Sequence, residues 1–149
     1  MNGISKEMIE EIVKKVVETQ IGNKEEFTKE VDKSGVISIK TETVKPEKFN
    51  TGKDGDQVYL KNVLTLDESP RLGCGVMEMK ESTFDWTLKY DEICYVIDGT
   101  LEIVIEDRKV VNKKGDMVLI PKGTSIKFSA PGECRFIYVV YPANWEETV

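Results

Sequence analysis

The chain contains no histidine in 149 residues. That absence removes the commonest metal ligand, which excludes His-based metal centres. Cysteine is scarce too. Cys74, Cys94 and Cys134 are odd in number, lack C-x-x-C spacing and lie in apolar runs, the pattern of buried reduced thiols rather than of a disulfide framework. No run approaches the ~18 apolar residues of a spanning helix, and Lys6, Glu7, Glu10 and Glu11 stand where a signal peptide would be apolar. No membrane contact and a cytoplasmic location are therefore expected. Basic excess is also missing: 21 Lys and Arg are interleaved with 27 Asp and Glu for a net charge of −6, so no nucleic-acid surface is expected.

What is present begins with a helix. Ser5 is a candidate N-cap, and Ile4, Met8, Ile9, Ile12, Val13, Val16 and Val17 recur at a 3.6-residue period opposite a charged face. Residues 22–35 form a polar linker, so residues 1–35 are assigned to an amphipathic helix and linker, and 36–149 to a second unit. From Val36 the period changes to two. Strands are predicted over 36–44, 57–66, 71–80, 83–88, 92–97, 100–106, 108–112, 116–120, 124–129 and 134–141. Asp98-Gly99 predicts a two-residue hairpin turn, Pro121-Lys-Gly123 a second turn, and 51–56 a loop. Many short strands at this spacing make an all-β sandwich or barrel.

Two segments choose among barrels. Trp86-Thr-Leu-Lys-Tyr-Asp-Glu-Ile-Cys-Tyr-Val-Ile-Asp-Gly99 resembles the cupin pattern H-x-H-x3-E-x6-G, keeping Glu92 and Gly99 but holding Trp86 and Leu88 at the imidazole positions. Gly115-Asp-Met-Val-Leu-Ile-Pro121-Lys-Gly123-Thr-Ser-Ile126 resembles G-x5-P-x-G-x2-H, with Ile126 as the last ligand's replacement. The resemblance implies a cupin double-stranded β-helix, a jelly-roll barrel, behind the short N-terminal helix. A lone Glu92 cannot supply the converging donors of a first-row metal site, so no transition metal is expected there.

Phe84-Asp-Trp-Thr-Leu-Lys-Tyr-Asp-Glu92, Ile120-Pro-Lys-Gly123 and Tyr141-Pro-Ala-Asn-Trp145 together resemble the EutQ family of ethanolamine-utilisation proteins over about residues 31–146. The resemblance implies a homodimeric cupin associated with a bacterial microcompartment and an acetate kinase activity using ATP and magnesium. A non-catalytic assembly or small-ligand-binding cupin is the alternative, with the N-terminal helix docking on a shell or other pathway protein.

The residues themselves hold no G-x4-G-K-[ST] phosphate loop. Alternation from Glu92 directs Glu92, Cys94 and Val96 inward, facing Ile126 and Phe128, with Trp86 and Leu88 narrowing the space. The kinase-like constellation comprises Glu92 as magnesium ligand or base, Asp91 as second carboxylate, and Lys89 or Lys122 on phosphate. Tyr90, Trp86 and Glu78 are further binding candidates. A buried Glu92 needs a raised pKa or a partner such as Tyr90 or Tyr138. Ile93, Tyr95 and Ile97 should face outward and are too apolar for a wetted surface, which predicts twofold pairing.

Overall fold

The computed structural model describes residues 5–12 and 27–148. They fall into two compact units, Met1–Lys45 and Pro46–Val149.

In the first unit a helix (α1) covers residues 6–12. Ser5 caps it: its Oγ accepts from the Met8 N–H at 3.1 Å and its carbonyl accepts from the Ile9 N–H, which supplies partners at a helix start that has none of its own. Met8, Ile9 and Ile12 are exposed. Ile4, Val13, Val16, Val17 and the first part of the linker lie outside the described residues. The end of the linker is not irregular throughout, because β1 (Lys29–Val31) pairs antiparallel with β2 (Ile37–Ile39). Asp32-Lys-Ser-Gly35 reverses the chain, with Asp32 Oδ2 accepting the Ser34 N–H at 2.8 Å. The expected first barrel strand over 36–44 is thus corrected. So short a turn lets β2 close on its own neighbour, and a 3-10 turn over Thr41–Thr43 follows it.

The second unit is a seven-stranded antiparallel sheet. It contains β3 (Glu47–Lys48), β4 (Gln57–Asn62), β5 (Gly73–Thr87), β6 (Asp91–Ile105), β7 (Arg108–Lys113), β8 (Met117–Ile120) and β9 (Ser125–Tyr141). The order is β3-β4-β5-β9-β6-β7, with β8 on the other edge of the first half of β6. Three pairs of predicted short strands are really three long ones. β5 runs through a register shift at Lys80/Ser82, while β6 and β9 run together past irregularities on both sides of Gly99. Bulges bend a strand without ending it, so each long strand serves two faces of the jelly roll.

Gly99 is the informative correction. It does not turn a hairpin. Its φ is +78°, and a Cβ there would lie 1.9 Å from the Glu133 carbonyl oxygen, so it is a point where β6 and β9 backbones touch. The hairpin instead lies between Ile105 and Arg108, with Glu106 at φ +56°. Pro121-Lys-Gly123 does form a turn, clamped by hydrogen bonds between Gly123 N–H and Leu88 O and between Leu88 N–H and Thr124 O. The core collects the inward residues of the long strands, with Phe136, Met79, Val96, Leu101 and Ile103 almost wholly enclosed.

Candidate active site in the barrel cavity

Strand alternation builds the site. Along β6, Glu92, Cys94 and Val96 are buried while Asp91, Ile93 and Tyr95 are exposed, as period-two reading requires. Glu92 thereby enters a small cavity with Trp86, Phe84 and Met77 from β5 and Phe128, Phe136 and Tyr138 from β9. Phe49, Leu60, Tyr90 and Trp145 complete the wall. Leu88, fully buried beside it, and Ile126 stand in place of imidazoles and offer no donor.

The rings lock one another. Trp145, in the 3-10 turn Trp145–Thr148, meets Trp86, Tyr90 and Tyr138 at centroid distances of 6.4, 5.6 and 6.3 Å. Tyr138 fits because Gly75 opposes it: a Cβ on Gly75 would lie 2.1 Å from the Tyr138 hydroxyl. That hydroxyl donates to Asn62 Oδ1 at 2.5 Å, and Asn62 Nδ2 donates to Glu146 Oε1 at 2.6 Å. A relay of polar contacts therefore ties the cavity wall to the C-terminal turn that covers it.

Glu92 is the only acidic side chain lining this cavity among the described residues, and no lysine or arginine lines it. Its hydrogen bond comes from the Cys94 thiol at 3.3 Å. Neither expected partner hydrogen-bonds Glu92: Tyr90 accepts from Trp86 Nε1 at 2.7 Å, and Tyr138 donates to Asn62. No fully enclosed side-chain nitrogen or oxygen among the described residues lacks a partner, so the second oxygen of Glu92 opens on the cavity. Burial pushes the Glu92 carboxyl up to about 7 against the opposing thiol contact, because an apolar wall solvates the ion far less well than water does. Burial likewise raises the Cys94 thiol and the Tyr90 and Tyr138 hydroxyls.

The remaining candidates scatter. Asp91 is exposed and accepts the backbone N–H of Lys122 at 2.8 Å, which makes it a clip for the Pro121–Gly123 turn. Lys122 and Lys89 are exposed, Lys89 beside an open hollow with Asp85, Trp86 and Thr87. Glu78 points away from the core between inward Met77 and Met79, paired with Arg135. The expected constellation of two carboxylates and a phosphate-binding lysine is not gathered in one place: alternation puts Asp91 on the face opposite Glu92, and of the seven candidates only Glu92, Tyr90 and Trp86 meet in the cavity. Among the described residues no cluster of three His, Cys, Asp or Glu stands ready for a metal. A single carboxylate does not fit a transition-metal centre. Phe49, Met77, Phe136 and Trp145 are cavity residues that pattern reading does not single out.

The cavity has about 20 Å³ of free space. That is far below the roughly 300–1,000 Å³ of pockets for drug-sized ligands. It suits a molecule of a few non-hydrogen atoms. No helix of the described residues is long and apolar enough to cross a membrane.

The family profile described as "Ethanolamine utilisation protein EutQ" matches residues 4–147. "Acetate kinase EutQ" of Clostridioides difficile (strain 630) is 53% identical over 151 residues, spanning 97% of this chain and 96% of that one. The solved structure of the Clostridium difficile EutQ protein matches with a TM-score of 0.81 at 56% identity, covering 83% of this chain and 93% of that one. The cupin domain of Schizosaccharomyces pombe Cnp3 matches with a TM-score of 0.56 at 15% identity over 76% of each chain, a likeness of fold alone. The barrel thus has the cupin fold, and the chain belongs to the EutQ family of ethanolamine utilisation proteins.

Proposed function

We propose that this chain transfers a phosphoryl group from ATP to acetate, the activity in its Clostridioides difficile relative's name, with the barrel cavity as the seat of acetate. The observation that carries the reading is Glu92, one buried carboxyl opening on a cavity sized for a few atoms and holding its proton up to about pH 7. As a neutral acid it donates its O–H to one acetate oxygen, and the methyl group packs among Phe84, Phe128 and Phe136. The other acetate oxygen then forms the new bond to the γ-phosphorus while the bond from that phosphorus to the bridging oxygen breaks, giving acetyl phosphate and ADP.

A nucleotide has no room in the cavity. In this reading the donor stays at the mouth with its magnesium bound to its own phosphates, and Trp145 swings aside to admit acetate. The test is hydroxylamine trapping of acetyl phosphate from ATP, magnesium and acetate. Wild type should turn over, Glu92→Leu should fall by on the order of 10²-fold or more, and Glu92→Gln, which keeps a donor, should retain the larger part. A wild-type protein without turnover overturns the reading.

The alternative of a non-catalytic assembly cupin draws on two apolar surfaces. Met8, Ile9 and Ile12 are exposed on α1 and suit docking on another protein's groove, the proposed route to a microcompartment. Deleting residues 1–22 should leave cooperative unfolding of the barrel intact. On the outer sheet face Ile93 and Tyr95 of β6 pair with Leu119 and Met117 of β8, and Ile93 with Val139 of β9. Met117 is 65% and Leu119 62% exposed. We assign this face to a homodimer contact, because a second copy would cover it with one self-complementary surface. A strict monomer by light scattering at tens of micromolar contradicts the assignment.

A further inference from the structure

Eight of the eleven residues around the cavity are aromatic, and the one charged group among them is a carboxyl. We propose that the cavity also receives a small primary ammonium ion, R–NH3⁺ with one or two carbons in R, as an ion pair with ionised Glu92 inside a box of aromatic rings. This goes beyond phosphoryl transfer to acetate and does not depend on it.

The donor and acceptor pattern favours a cation. Glu92 opens an oxygen on the cavity, and Tyr138, having given its hydrogen to Asn62, retains lone pairs on its hydroxyl oxygen. Tyr90 already receives the Trp86 N–H and has a second lone pair. A primary ammonium nitrogen carries three N–H donors for acceptors of this kind. The rings add to this, since a ring face is electronegative and attracts a cation more strongly when water is excluded. Trp145 stands at 65°, 54° and 75° to Trp86, Tyr90 and Tyr138, and Phe84 at 79° to Trp86.

The groups around Glu92 agree in sign. On its own strand it meets the Cys94 thiol, from β9 Tyr138, and from the β5–β6 connection Tyr90, all held protonated and neutral by burial. β5 contributes Met77, Phe84 and Trp86, and β8 pairs Ile120 with Glu92. None of these carries a positive charge. Ionised Glu92 therefore has no counter-ion, and an entering ammonium supplies one; the apolar end of R meets Phe128, Phe136 and Met77. Acetate calls for the neutral acid and ammonium for the carboxylate, so the two ligands compete with opposite pH dependence.

The chain's two tryptophans, Trp86 and Trp145, both line the cavity, so intrinsic fluorescence reads the site directly. Ethylammonium chloride titrated into the full chain at about pH 8.5 should give a saturable change with a Kd on the order of 1 mM, the range open to a ligand of so few atoms. At about pH 6 binding should weaken by about tenfold as Glu92 takes up its proton. Glu92→Gln and Glu92→Leu, checked for folding by thermal melts, should show no saturation. Ethanol, the neutral isostere, and sodium chloride should give none with wild type. A wild-type response no different from sodium chloride, equal binding of ethanol, or unaltered binding by Glu92→Gln would each overturn the proposal. Acetate turnover, measured on the same preparation near pH 6.5, fails or succeeds separately.

Discussion

Asp91 and Glu92 are neighbours in sequence and opposites in circumstance. Asp91 faces water and fastens a turn through the Lys122 amide; Glu92 faces eight aromatic residues, with a thiol as its hydrogen-bond donor. Both are carboxylic acids on one strand, so side-chain chemistry does not separate them. A half-period of the β pleat does. The outer face of the barrel holds its charges in pairs such as Glu78–Arg135 and Lys80–Glu133, where solvent makes each pair worth little. Among the described residues the cavity lining holds one charged side chain, Glu92, and there the same functional group becomes a titrating centre.

The contrast can be broken by weakening the inner wall. Phe136, 1% exposed and stacked against Phe128 at 6.3 Å, should cost about 4 kcal/mol on substitution by Ala, measured by urea unfolding. A loss under about 1 kcal/mol would mean that the aromatic wall is loose.

The next effect is pH-dependent. Burial raises Glu92 from its ordinary 4.5 to about 7 in the folded protein, so the folded state holds a proton that the unfolded chain releases. The stability this gives is fully present below about pH 4.5 and is lost as pH rises through about 7, a swing of about 3 kcal/mol. Glu92→Gln removes the swing. It should match wild type near pH 4.5 and exceed it by up to about 3 kcal/mol near pH 8. Parallel pH profiles for the two proteins would place Glu92 in water.

Outside the barrel the effects shrink. Asp91→Ala frees the Lys122 amide and should cost about 1 kcal/mol, without moving the Glu92 titration. Lys89→Ala should stay within about 0.5 kcal/mol. Either variant abolishing acetate turnover would relocate the chemistry to the rim.

Sequence periodicity carries much of this. The alternation of β6, the Pro121–Gly123 turn and the replacement of imidazoles by Trp86, Leu88 and Ile126 are all readable without coordinates, because each depends on near neighbours in the chain. The Asp98-Gly99 turn is misread for the opposite reason. A dipeptide that favours a hairpin locally is held in a continuous strand by the Glu133 carbonyl, 34 positions away in the chain. Trp145 is hidden in the same way, since only the folded barrel brings the tail to Trp86. The rim residues Lys89, Asp91 and Lys122 look like a site because they are close in sequence or near turns, and distance along a strand says nothing of which face they share.

The central claim, that one carboxyl titrates near neutrality inside an aromatic cavity, is tested most directly by carbon-13 NMR of glutamate carboxyls. Glu92 is identified by the resonance missing from Glu92→Gln. A titration midpoint of about 7 is predicted; a midpoint near the ordinary 4.5 of a solvated glutamate would contradict the account.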